Sequence, residues 1–244
     1  MMDGPIEVLL ASVFGERFRD LRGEMMVHPT LRYAARPMSA VTGLVVHHTA
    51  ARADAGWPAV ARYHVQSNGW PGIAYHFGIE PDGVVSYLGD VATVRYHARQ
   101  ANGWSIGICC AGDYSKTDPP GGMVEVLGVL LNALEAWLGL RQAQPAAQPT
   151  VQRLGHRDVV ETTCPGDRLY AVIPKREVRG EPLPEDEPDA AAAVLAEKVR
   201  WWLEECIRQM DAGQELRADA ILQSLVRRDG GLLYRLENTL KEAR

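Results

Sequence analysis

Basic residues are in deficit in this chain: 26 Lys and Arg stand against 31 Asp and Glu, a formal net charge of -5 over 244 residues. That balance gives no global attraction for nucleic acid or anionic lipid, whose recognition normally needs a basic patch. A neutral or cationic polymer stays open as a ligand. Cysteine is scarce too. The four present, Cys109, Cys110, Cys164 and Cys206, are too few in a chain this long for a disulfide scaffold. No uncharged run reaches membrane-spanning length, because the most apolar stretch, Met123 to Leu140, carries Glu125, Asn132 and Glu135. It reads as a packed amphipathic helix. The start has no basic leader, and Glu7, Gly15 and Glu16 interrupt its apolar segment. Neither a signal peptide nor a membrane span is indicated, so synthesis is expected to end in the cytoplasm. The metallopeptidase signature H-E-x-x-H is also missing, which removes the usual ligands and base of that class.

What is present fits one full domain plus an appendage, or two modest domains. Residues Ile6 to Phe18 have apolar positions at helical spacing, and the stretch to Pro37 reads as an irregular arm without assignable chemistry. His28 there is expected to be structural. GLVVHHTA, from Gly43, is a β-branched apolar run that predicts a buried strand ending in two histidines and a threonine. Side chains alternate along a strand, so only one of His47 and His48 can readily face a given metal. WPAVARYHVQS, from Trp57, predicts a helix with Pro58 in its first turn and Asn68-Gly69 as its stop. Ile73 to Ile79 and Val84 to Leu88 flank Pro81-Asp82-Gly83 as a hairpin. Ser105 to Ala111 is a further strand, whose Cys109 and Cys110 are expected as small buried thiols on opposite faces. VQRLG predicts a short strand before GHRDVVETTCPGD, residues 155 to 167.

After Tyr170 the composition changes. Residues 175 to 189 are rich in Pro and charge, which reads as a linker. Residues 190 to 244 have apolar spacing for a small helical module in which Trp201 and Trp202 pack or dock. The division is therefore an N-terminal helix and arm over 1 to 40, a main domain over 41 to 174, the linker, and the module.

The stretch 155 to 167 holds a histidine and a cysteine eight residues apart. Imidazole and thiolate are both zinc ligands, but a catalytic zinc usually takes three protein ligands. By itself the pair reads more readily as a surface histidine beside a small buried cysteine. Four segments in one order change this: VVHHTA, GWPGIAYHF, RYHARQANGWSIGI and GHRDVVETTCPG. Their order over residues 40 to 172 resembles the zinc-dependent N-acetylmuramoyl-L-alanine amidases of the type 2 family, which include phage lysozyme-like amidases and peptidoglycan recognition proteins.

The resemblance implies an α/β fold, a central mixed sheet flanked by helices, with the small all-helical module following it. It implies one Zn2+ per chain held by His47, His156 and Cys164. It also implies a catalytic Tyr75, and Thr162 where phage members carry lysine, as in the amidase-active recognition proteins. Residues matching His48, Thr49, His64, His97 and Asn102 line the muropeptide groove in the recognition proteins. The implied reaction is hydrolysis of the amide between N-acetylmuramic acid and L-alanine in bacterial peptidoglycan, as an endolysin acting after the host membrane is permeabilised. A binding-only recognition module and a cytoplasmic muropeptide-recycling amidase are the alternatives. The retained Cys164 opposes the first, since binding-only members tend to lack that thiolate. The C-terminal helices suit wall targeting or self-association.

Overall fold

The computed structural model describes residues 6–141 and 151–174, so the linker, the helical module and Cys206 lie outside the described residues. Leu9–Val178 forms one compact unit. The elements of the described residues run α1 (Ile6–Phe14), β1 (Phe18–Asp20), β2 (Gly43–His48), α2 (Trp57–Gln66), β3 (Phe77–Ile79), β4 (Val85–Tyr87), β5 (Ser105–Cys110), α3 (Gly121–Arg141), β6 (Gln152–Gly155) and α4 (Asp167–Val172).

Six strands form one mixed sheet in the order β1-β4-β3-β5-β2-β6. Only β3 and β4 pair antiparallel; the other neighbours are parallel. The neighbouring interior strands β2 and β5 are buried at every position, as expected for a parallel pair covered on both faces. Their register sets His47 beside Cys109 and His48 beside Cys110, and β3 adds Gly78 next to Cys109. On that row α2 lays Trp57 against the sheet. A Cβ at Gly78 would meet the Trp57 ring at 2.2 Å, so the absent side chain is what allows the contact. Trp57, Ala61, Ile73, Leu88 and Cys109 form one apolar cluster, with Tyr75 packed on it. Both thiols are fully buried, and burial pushes both up, Cys110 to about 12 and Cys109 well above the usual thiol range, which leaves them inert packing groups.

By length and composition α3 could cross a membrane. Here it lies against β3 and buries Met123, Leu127, Leu130, Leu131, Leu134 and Leu138 at three- and four-residue intervals, the pattern of a core helix.

Two features differ from the sequence expectation. Phe18–Asp20 leaves the helix to become an edge strand parallel to β4. The strand expected from Ile73 begins only at Phe77, because side chains occupy the ladder positions before it. Ile73 O accepts from Arg95 Nη1 at 2.7 Å and Ala74 N donates to His64 Nδ1 at 3.1 Å. The arm also has more order than its composition indicates. Leu21 N donates to Tyr87 O, Val94 N to Ala34 O and Arg36 N to Ala92 O.

Candidate metal centre

The site lies at the C-terminal end of β2, where parallel strands open onto a crevice. His47, 1% exposed, is the last residue of β2 on the face covered by α2. Beside it β6 ends at Gly155, which pairs with Val46, so the next residue, His156, emerges next to His47. Their ring centroids are 4.4 Å apart. Cys164 returns to the same place through a loop closed largely by Arg157. Arg157 N donates to Cys164 O at 3.1 Å, its guanidinium to Thr163 O and Asp167 Oδ1, and it covers the Tyr170 ring. Asp158 accepts from Gly155 N and from the Tyr170 hydroxyl. Arg157 and Asp158 are therefore what hold the histidine and cysteine eight residues apart in sequence but together in space. The Cys164–Pro165 bond is cis.

One ligand atom from each of His47, His156 and Cys164 lies within 4.8 Å of the others. His47 Nδ1 is 3.8 Å from Cys164 Sγ. A tetrahedral zinc with ordinary bond lengths sets its nitrogen and sulfur ligands about 3.5 Å apart. His156 Nε2 is buried without a hydrogen-bond partner, which costs free energy unless something else occupies its lone pair. A divalent ion with a preference for N and S donors fits that set.

Electrostatics point the same way. Burial, followed by the neighbouring His97 and His156 rings, holds His47 well below the usual imidazole range. Burial and Arg99 lower His156. Both are thus neutral at pH 7 and ready to ligate. Burial pushes the Cys164 thiol up to about 11, so a cation must displace its proton. Metal uptake at pH 7 is expected to release close to one proton per chain, from Cys164, and affinity should rise up to tenfold per pH unit between pH 7 and 9. Calorimetry in buffers of different ionisation enthalpy measures the proton count directly.

Tyr75 stands at this centre, its ring 5.3 Å from His47 and 5.6 Å from His64. Burial, with Cys109 and Cys164 nearby, pushes its phenol well above 10, so it is a proton donor at neutral pH. The Thr162 hydroxyl accepts from Cys164 N at 3.2 Å and keeps its own proton for donation.

The remaining residues expected at the groove are distributed more widely. His64 is buried, accepts from Ala74 N and is lowered by burial to about 4, which leaves a neutral ring beside Tyr75 and Trp70. Thr49 bridges the ends of β2 and β5: Gly112 N donates to its Oγ1 at 2.9 Å and Oγ1 donates to Gly112 O at 3.2 Å. It also lines a cavity of about 400 Å³ with Trp57, Val60, Glu80 and Ala111. His48 is turned to the other face, where Tyr114 N donates to its Nδ1 at 3.2 Å. Asn102 Oδ1 is taken by Ala98 N at 2.6 Å. His97 is buried behind His47.

Comparison with known proteins gives a family model described as N-acetylmuramoyl-L-alanine amidase, Amidase_2, which matches residues 37–167. Peptidoglycan-recognition protein LB of Drosophila melanogaster is 34% identical over 111 residues, 46% of this chain and 45% of that protein. An N-acetylmuramoyl-L-alanine amidase of Sus scrofa is 28% identical over 164 residues, 60% of this chain and 26% of that protein. The chain thus spans less than half the length of these two relatives. Among solved structures, Drosophila PGRP-LB has TM-score 0.50 at 25% identity, covering 63% of this chain and 90% of that one. An endolysin from a Thermus scotoductus bacteriophage has TM-score 0.52 at 24% identity, covering 62% and 92%, a likeness of fold.

Proposed function

Because this chain belongs to the Amidase_2 family of N-acetylmuramoyl-L-alanine amidases, whose model matches more than half of it, we propose that it hydrolyses the amide between N-acetylmuramic acid and L-alanine in peptidoglycan, using one zinc. The observation that carries this reading is the convergence of one ligand atom each from His47, His156 and Cys164, with His47 Nδ1 facing Cys164 Sγ, next to a protonated Tyr75.

Hydrolysis of an amide adds the oxygen of water to the carbonyl carbon and a proton to the departing nitrogen. When bound, the zinc supplies Lewis-acid polarisation and a water acidic enough to react near neutral pH. The chain supplies the rest. His47, His156 and Cys164 are the residues that would hold the ion. Tyr75, kept protonated by burial, donates a hydrogen bond at the reacting carbonyl, passes that proton to the L-alanine nitrogen and recovers one from the attacking water. Thr162, its oxygen already held by Cys164 N, donates its hydroxyl proton to the developing oxyanion.

Tyr75→Phe keeps the ring contacts and removes the donor. It is expected to lower the release of new amino groups from purified cell wall by about 100-fold, with metal content unchanged. Full activity in this variant would remove Tyr75 from the mechanism. Wall binding without amine release by the wild-type protein would support the binding-only reading instead.

As biological role we propose wall lysis, as an endolysin. Exposed Tyr63 and Tyr96, in ring contact with His64 and Trp70, offer aromatic surface suited to an extended polymer. Cells producing the protein should lyse once their membrane is permeabilised; an enzyme confined to soluble muropeptides would leave such walls intact. Wall targeting or self-association through residues 190 to 244 is a further part of this proposal, tested by truncation.

A further inference from the structure

Behind the metal centre the hydrogen bonds of three side chains can be assigned a direction from their partners alone. Ser105 Oγ donates to Ala101 O at 2.7 Å, so that oxygen has only lone pairs to offer elsewhere. His97 Nε2 faces it at 3.5 Å and faces Ser105 O at 3.4 Å, two acceptors. Nε2 of His97 must therefore carry the proton, and Nδ1 must be bare. That bare nitrogen lies 3.1 Å from His47 Nε2. A contact of this length needs one proton, and only His47 can supply it. His47 then has its proton on Nε2 and its lone pair on Nδ1, the atom facing Cys164 Sγ.

Two further features hold this arrangement. Arg36 donates to Ser105 O at 2.7 Å and to Asn102 O at 2.9 Å, fixing the carbonyl against which His97 is oriented. The His97 ring lies flat on β5 at Gly107, where a Cβ would meet it at 2.6 Å. The glycine of the SIGI strand is thus the seat of the ring.

We propose that His97 is a positioning residue for the metal centre: it accepts the Nε2 proton of His47 and so presents His47 Nδ1 to the ion. This departs from the groove role that the family resemblance implies for this position, and it rests on the metal reading above. A ligating histidine whose other nitrogen loses its partner typically costs 10–100-fold in metal affinity. With His97→Phe the His47 N–H would be buried without an acceptor. With His97→Gln an amide oxygen can accept from His47 while the amide nitrogen donates to Ser105 O.

The test uses the full chain and Co2+ as a spectroscopic probe, titrated against a competing chelator. His97→Phe is expected to weaken Co2+ binding by about 10- to 100-fold and to alter the cobalt absorption bands, and His97→Gln to recover most of the affinity. Unchanged binding and spectrum in His97→Phe, with a raised KM for cell wall, would overturn the proposal and restore the groove role. Wild-type protein that takes up no Co2+ would overturn the metal reading and this inference together. If His97→Phe does not fold, long-range 1H–15N correlation of the metal-free wild type decides. His47 protonated on Nε2 supports the proposal, and protonation on Nδ1 overturns it.

Discussion

Replacing Cys164 by serine is expected to lower amide hydrolysis by about 1,000-fold or more, which is what losing several kcal/mol of metal-derived transition-state stabilisation amounts to. The hydroxyl of serine does not ionise near neutral pH, so it offers the ion no anionic donor. The substitution is otherwise small. Cys164 is half-buried, and its sulfur contacts only weak partners, His47 Nδ1 at 3.8 Å and His48 O at 4.0 Å. The loop around it is held by Arg157 and Asp158, which do not involve the sulfur. Folding should therefore survive. The variant should bind cell wall, carry less than stoichiometric zinc and release almost no amine, behaving as a binding-only module. Activity within tenfold of wild type would show that Cys164 is not a ligand.

The second large effect concerns stability. Arg36 is 7% exposed and donates to three backbone carbonyls, Val91 O, Asn102 O and Ser105 O, which belong to segments 55 to 69 residues away. Two opposing terms decide what Arg36→Met does. Removing the guanidinium recovers its desolvation cost, which is real, since burial lowers it to about 10 and Arg95 opposes its charge. Against this, charge-assisted bonds of this kind contribute about 1.5–3 kcal/mol each, and three carbonyls would lose them, Ser105 O keeping only the long 3.4 Å approach of His97 Nε2. The bonds win, by about 3 kcal/mol net. For a domain of this size that corresponds to a fall in Tm of roughly 6–12 °C. Arg36→Lys should recover little, because a single ammonium cannot reproduce the planar fork. A Tm within 2 °C of wild type would mean the carbonyls find other donors.

Arg36 also illustrates what the sequence could not disclose. It sits in an arm whose composition carries no chemical signal, and its partners are all distant in the chain, so no local pattern announces it. The same holds for His97 and Asn102. Each is part of the RYHARQAN motif, but the atoms that engage them, His47 Nε2 and Ala98 N, become visible only once strands are registered. By contrast β2 and α2 were legible because a β-branched run buried on both faces and a Pro-initiated helix each leave a local trace. The three ligand candidates were legible for a different reason. Alternation put His47 and His48 on opposite faces, and the order of four motifs chose between them; in the structure the His47 ring lies 4.4 Å from that of His156. The short strand β1 escaped because three residues are too few for a pattern. β3 was read too long because His64 and Arg95, not a neighbouring strand, take the backbone groups of Ile73 and Ala74.

The most direct test of the zinc amidase assignment is mass analysis of defined muropeptides after digestion by the full chain, with and without a chelator. The account predicts products separated between the lactyl carbonyl and L-alanine, no products with chelator, and recovery on adding zinc. Products in which muramic acid is still joined to L-alanine, or digestion unaffected by the chelator, would contradict it.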